Sequence, residues 1–121
     1  MKVKQQRHVS AEAWAALSKA LPYANFTAAD VEQILSGYGW MIWAIDGKTF
    51  VLTMVNQDRE IEVLLAGGSD AANCIGPWEK AMLSDPAHKG MTIRIDGRKG
   101  WRKYLKHWDC DANGVLTKRV D

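Results

Sequence analysis

The sequence predicts a single α/β domain over residues 1–121, a mixed central sheet flanked by helices. Three observations predict it. The chain has 121 residues, 47% apolar and 25% charged, the size and balance of one globular domain. Apolar residues recur at helical spacing up to Tyr38, and from Trp40 the pattern becomes strand-like. The second half then alternates strand, helix, strand, helix, strand, which requires at least one parallel crossover. This length excludes a multidomain enzyme with a separate cofactor domain, and the apolar fraction excludes wholesale disorder.

The N-terminal part carries two helical patterns. Ser10 is placed to cap a helix whose residues Trp14, Leu17 and Leu21 share one face, with Pro22 stopping or kinking its end. Thr27 starts a second helix. Its hydroxyl can accept the Asp30 N–H while Asp30 reaches back, a variant of the capping box, and Phe26 and Val31 are placed as a hydrophobic staple. Val31, Ile34, Leu35 and Tyr38 line its apolar face, and Gly37 and Gly39 supply the left-handed geometry that ends it.

The run WMIWAIDGKTFVLTMV reads as two strands joined at Asp46-Gly47, a pair that favours the positive φ angles of a tight hairpin. Asn56 to Arg59 is a polar turn. Glu60 to Ala66 is a third strand, ended by Gly67-Gly68. A helix follows between Ser69 and Leu83, presenting Trp78, Met82 and Ile75 to the sheet. Because Pro77 suits a helix start and not its interior, that helix is expected to begin near Gly76. Met91 to Asp96 is a short strand and Arg98 to His107 a short helix with Trp101, Tyr104, Leu105 and Trp108 at helical spacings. VLTKRV, after the Asp109–Gly114 turn, reads as a final edge strand.

An antiparallel meander feeding a βαβ unit resembles the GNAT fold, the acyl-CoA N-acyltransferase architecture. "LLAGG" closing the third strand, Trp78 in the next helix, "IRIDGRKGWRKYL" and a final "LTKRV" resemble a group of small phage and prophage proteins of GNAT-like type. The matching positions are Ala66, Gly67, Gly68, Trp78, Gly97, Arg98, Lys99, Gly100 and Trp101, within the second half of the chain. The resemblance implies a role in particle morphogenesis or inside the virion, and a location in the host cytoplasm or the particle. It also implies acetyl-CoA as the cofactor of any transferase activity. Glu60 and Glu62 would lie on the strand that often supplies the base, Tyr104 on the helix that often supplies the acid, and Gly67 and Gly68 near the cofactor. The broad family holds the CoA diphosphate with a Gln/Arg-x-x-Gly-x-Gly/Ala loop at a helix start. Here the sequence is AGGSDAANCIGPW. No basic residue precedes the glycines and Asp70 would repel a diphosphate, so a degraded CoA loop is expected.

Charge is unevenly placed. Lys89, Arg94, Arg98, Lys99, Arg102, Lys103 and Lys106 stand against Asp96 alone, a local +6 that leaves −4 on the remainder of a chain of net charge +2. Arg98, Lys99, Arg102, Lys103 and Lys106 are expected on one helix face. They could bind an acidic partner, an anionic cofactor or nucleic-acid phosphates, or simply be solvated. Asp109, Asp111, Asn113 and Gly114 match the first half of a calcium loop, but the position of its final Glu is Val120, so no metal is assigned. His8, His88 and His107 have no ligand spacing. No apolar run approaches membrane-spanning length. The opening MKVKQQRHVS has no apolar run, so a reduced, cytosolic chain without a Cys74–Cys110 disulfide is expected. Most of the six tryptophans fall on core faces, whereas Trp40 and Trp43 point to opposite faces of one strand, one of them expected at a cleft or interface.

Three functions follow as expectations: a phage or prophage GNAT-like protein with a degraded CoA loop, an acetyl-CoA-dependent N-acetyltransferase, and a nucleic-acid-associated module using the basic helix.

Overall fold

The computed structural model describes residues 1–24, 26–96 and 100–121. In chain order the elements are β1 (Val3–Gln6), α1 (Ala11–Ser18), α2 (Ala28–Leu35), β2 (Trp40–Ile45), β3 (Thr49–Val55), β4 (Glu60–Gly68), α3 (Ala71–Ser84), β5 (Thr92–Ile95), α4 (Gly100–Tyr104), β6 (Asp109–Cys110) and β7 (Leu116–Arg119). The strands form one mixed sheet in the order β1-β2-β3-β4-β5-β7-β6. β4 and β5 are its parallel pair, joined by the α3 crossover, and the other pairings are antiparallel.

Local chemistry accounts for the expected elements. Asp46 and Gly47 both have positive φ, 52° and 64°, and close the β2–β3 hairpin. The Thr27 hydroxyl accepts the Asp30 N–H at 3.3 Å while the Asp30 carboxylate accepts the Thr27 N–H at 2.8 Å. The Ser10 hydroxyl accepts the Ala13 N–H at 3.1 Å and starts α1, and Pro22 lies in a separate 3₁₀ turn, Leu21–Tyr23.

Several expectations need correction. β1 was not foreseen, because Val-Lys-Gln-Gln has no apolar alternation; this polar edge strand takes its register from β2. Its Gln5 donates to Asp85 at 2.6 Å. The Ala87 N–H, the Gln5 side chain and nearby His88 together hold the Asp85 carboxyl below its ordinary range. α3 begins at Ala71, not near Gly76, and carries Pro77 inside. An internal proline costs about 3 kcal/mol, and burial of Cys74, Trp78 and Met82 along one face of the helix offsets it. Tyr38 does not join the apolar face of α2: it lies past the helix end and is 94% exposed. Gly39 takes positive φ but Gly37 does not, because Ser36 already caps the helix. α4 is only five residues long, so Lys106 falls in the turn beyond it, while the expected start at Arg98 and Lys99 lies outside the described residues. β7 is interior: the Asp109–Cys110 segment turns back to pair with it and forms the edge.

The sheet separates two cores. On one face Ala13, Leu17, Val31, Trp40, Ile42 and Leu52 pack under α1 and α2. On the other, Trp43, Ile61, Trp78, Met82, Ile93 and Trp108 pack under α3 and the C-terminal segments. Trp40 and Trp43 do face opposite sides, but both are buried, so neither stands at a cleft; the Trp43 N–H donates to Thr53 at 3.0 Å. Trp78 meets the rings of Trp101 and Trp108 at centroid distances of 5.6 and 6.4 Å. Glu79 ties this cluster to α3, accepting from Trp108 and facing His107, each at 2.5 Å.

Candidate functional site at the parting of β4 and β5

β4 and β5 pair only across Glu60–Val63 and Thr92–Ile95, yet β4 continues to Gly68. Past Val63 the β5 side of β4 therefore has no strand partner among the described residues. A register shift accompanies the parting: Leu52 opposes Leu65 and Thr53 opposes Val63, so Leu64 is the extra residue of a bulge. The bulge re-aims the strand. Ile61 and Val63 pack toward α3, whereas Leu65 packs toward α1. Open α/β sheets bind ligands at the C-terminal ends of their parallel strands, and two cavities lie here, sharing Ala66 and Trp101.

The cavity toward α1 has a volume of about 190 Å³ and includes Tyr23, Phe26, Glu62, Arg94, Asp96 and Trp101. Parallel pairing puts Glu62 directly beside Arg94, and the two groups approach to 3.8 Å, with Asp96 3.4 Å from the same guanidinium. Asn56 donates to both Glu60 and Glu62 at 3.0 Å, while its carbonyl accepts the Asp58 and Glu60 N–H groups at 2.9 Å. Asn56 thus both builds the β3–β4 turn and fixes the two carboxylates. Asn56→Ala should cost about 1–2 kcal/mol in urea unfolding, because two backbone donors lose their acceptor; an unchanged midpoint would mean water replaces it fully.

The cavity toward α3 has a volume of about 470 Å³ and includes Cys74, Ile75, Trp78, Trp101 and Tyr104. Of the expected catalytic residues, Glu62 lines the first cavity and Tyr104 the second, and Glu60 lines neither. The structure does not gather the three around one point. Arg94 and Asp96 were missed as site residues; the alternation of Thr-Ile-Arg-Ile placed Arg94 on a polar face, but only the β4–β5 register sets it beside Glu62.

Gly67 and Gly68 are occupied with the fold itself. A Cβ on Gly67 would stand 2.2 Å from the Ala16 carbonyl oxygen. One on Gly68, whose φ is +133°, would stand 2.1 Å from that of Lys48. The residues at the α3 start do not fit a CoA diphosphate. Asp70 is the N-cap in left-handed conformation, φ 63°, makes no side-chain cap bond, and its carboxylate is held by Asn73 at 2.7 Å. No Lys or Arg occurs between Ala66 and Glu79.

The basic residues of the C-terminal part are divided. Arg102 lies against the Gly114 turn, its guanidinium 3.1 Å from where a Gly114 Cβ would be, and Lys103 sits 5.9 Å from the Tyr104 ring. Asp111 accepts the Asn113 and Val115 N–H groups at 2.8 and 2.9 Å, which orders the Asp109–Gly114 turn. Among the described residues no group of three or more His, Cys, Asp or Glu comes together to hold a metal, and no helix is long and apolar enough to cross a membrane. Cys74 is buried and Cys110 exposed, both as free thiols. Comparison with protein-family models, curated proteins and solved structures finds no match to this chain.

Proposed function

We propose that the chain is a GNAT-like protein of the small phage or prophage type in which the fold is kept and the CoA machinery is degraded, serving in particle assembly or inside the virion. The observation that carries this reading is Asp70. The N-cap residue of α3 carries a carboxylate where a GNAT-type cofactor's diphosphate would have to sit, and like charges at a helix start oppose binding. The element order supports the class: an antiparallel β2–β3–β4 meander feeding β4–α3–β5. With no matched relative, the class rests on that order and on the second-half residues that resemble the family.

An N-acetyltransferase is the second reading, favoured by Glu62 on the wall of the opening between β4 and β5. Millimolar acetyl-CoA separates the two. No change in melting temperature is expected; a rise of several degrees, as saturating ligand gives a protein of this size, would establish the second reading against the first. Mass spectrometry of purified particles should then find the chain, and its confinement to the infected-cell lysate would count against a virion role. The nucleic-acid reading has less support, since Arg102 folds against the Gly114 turn and Lys106 falls in the turn beyond α4.

A further inference from the structure

The sheet ends on one side at β1, whose strand partner among the described residues is β2 alone. Its bonding phase is set by the Asp46 N–H, which donates to the Lys2 carbonyl at 2.8 Å. Extending the Val3–Ile45 register by one residue puts Lys2 directly opposite Asp46. Opposed residues that share such a bond alternate along a strand with residues whose backbone groups point away from that partner. Lys4 and Gln6 therefore bond to β2 as Lys2 does, while Val3 and Gln5 turn their N–H and C=O groups outward. No described residue bonds to those outward groups. β1 has no proline, glycine or bulge to spoil the edge.

Cations stand along this edge. Lys2 and Lys4 lie on the α1 face, lining one groove with Gln6, and Arg7 follows the strand with its guanidinium 5.0 Å from the Trp40 ring. All three are exposed, and none is in an ion pair among the described residues. Three carboxylates are near. Asp46, one strand further in, accepts the Lys2 N–H at 2.7 Å. Asp85, on the α3 face, accepts from Gln5 and from the Ala87 N–H. Glu12 lies in the first turn of α1, where a helix start favours it, and α1 packs over β3 and β4. The charges that would flank a new strand on the α1 face are therefore Lys2 and Lys4.

We propose that the β1 edge docks an extended, acidic segment of a partner protein, which adds to the sheet as a further strand. Outward N–H and C=O groups at strand spacing fit another backbone, and main-chain bonds of this kind hold peptides to open sheet edges. Acidic side chains of the new strand would stand beside Lys2 and Lys4, and opposite charges across strands attract. On the other face Asp85 disfavours an acid and half-buried Val3 suits an apolar side chain. The edge thus specifies a segment in which acidic and apolar residues alternate. A second β1 is a poor occupant. Setting Val3 against Gln5 of another copy, the register that pairs all the outward residues, places Lys4 against Lys4. The proposal goes beyond the particle role and does not rest on it.

The test uses a short fluorescein-labelled peptide of alternating valine and glutamate, and a matched peptide with lysine in place of glutamate. Fluorescence anisotropy with the full chain should show saturable binding of the glutamate peptide at one equivalent and none of the lysine peptide. Hydrogen exchange read by NMR should show the Val3 and Gln5 amides, unbonded in the free chain, slowed about tenfold or more in the complex. Lys2→Glu combined with Lys4→Glu changes two exposed side chains, so the melting temperature should stay within a few degrees. That variant should bind the glutamate peptide about tenfold more weakly and should now take the lysine peptide. No saturable binding of the glutamate peptide overturns the proposal, and so does equal binding of the two peptides. Binding that leaves the Val3 and Gln5 amides unprotected overturns it as well, because charge alone would then hold the peptide. Oligothymidylate that binds more tightly than the glutamate peptide overturns it in favour of a phosphate-binding surface.

Discussion

Gly67→Ala is expected to lower the unfolding free energy by about 3 kcal/mol, the upper end of what overpacking costs. The new methyl would enter at 2.2 Å from the Ala16 carbonyl oxygen and 2.9 Å from its carbon. Both obstacles are backbone, so no side chain can swing aside. Either α1 lifts from the sheet or β4 bends, and each breaks packing around Leu17 and Leu65, which are buried in that layer. Urea unfolding followed by tryptophan fluorescence measures the loss. Gly37→Ala is the control: its nearest neighbour is 3.5 Å from the added atom and its φ is not in the left-handed region, so a change within about 0.5 kcal/mol is expected. Equal effects at the two positions would mean that α1 does not press on Gly67.

Trp78→Ala should cost still more, about 3–5 kcal/mol. Trp78 is fully buried, sits on the face of α3 that meets the sheet, and touches the rings of Trp101 and Trp108. It is also the side chain that most directly offsets Pro77, its neighbour in the helix, whose missing N–H weakens α3 at that turn. A domain's whole stability is about 5–15 kcal/mol, so this one truncation removes a large share. The variant should melt roughly 10–20 °C lower and lose the near-ultraviolet dichroism of the tryptophan cluster. A loss below about 1 kcal/mol, the mean for an arbitrary substitution, would mean that α3 is seated by other contacts.

The two variants probe opposite faces of the sheet, and they bracket the opening between β4 and β5. Gly67 sits past the Leu64 bulge, where β4 has left β5, and Trp78 walls the larger cavity on the other side. The fold and the candidate site therefore share residues. Ala66 and Trp101 line both cavities.

Elements whose signals are local were legible. The Thr27–Asp30 capping box, the Asp46-Gly47 hairpin and the placing of Trp78 and Met82 on one face of α3 each depend on residues within a few positions of one another. The site was less legible. Glu62 was identified as a candidate, but its neighbour Arg94 comes from a strand brought alongside by a crossover of two dozen residues, and no local pattern states that register. Tyr104 lay on an expected helix, yet which cavity it enters depends on where α4 docks.

By itself, then, the sequence determined the α/β class, the periods of most elements, and many of the caps and turns that bound them. These follow from side-chain spacing and backbone preference, which act over one or two turns of chain. Only the tertiary structure decided that the polar segment Val3–Gln6 is a strand, that Pro77 stays inside a helix, that β7 is interior, and that β4 and β5 part at Val63. In each case burial or pairing with a distant segment outweighed a local preference worth about 1–3 kcal/mol.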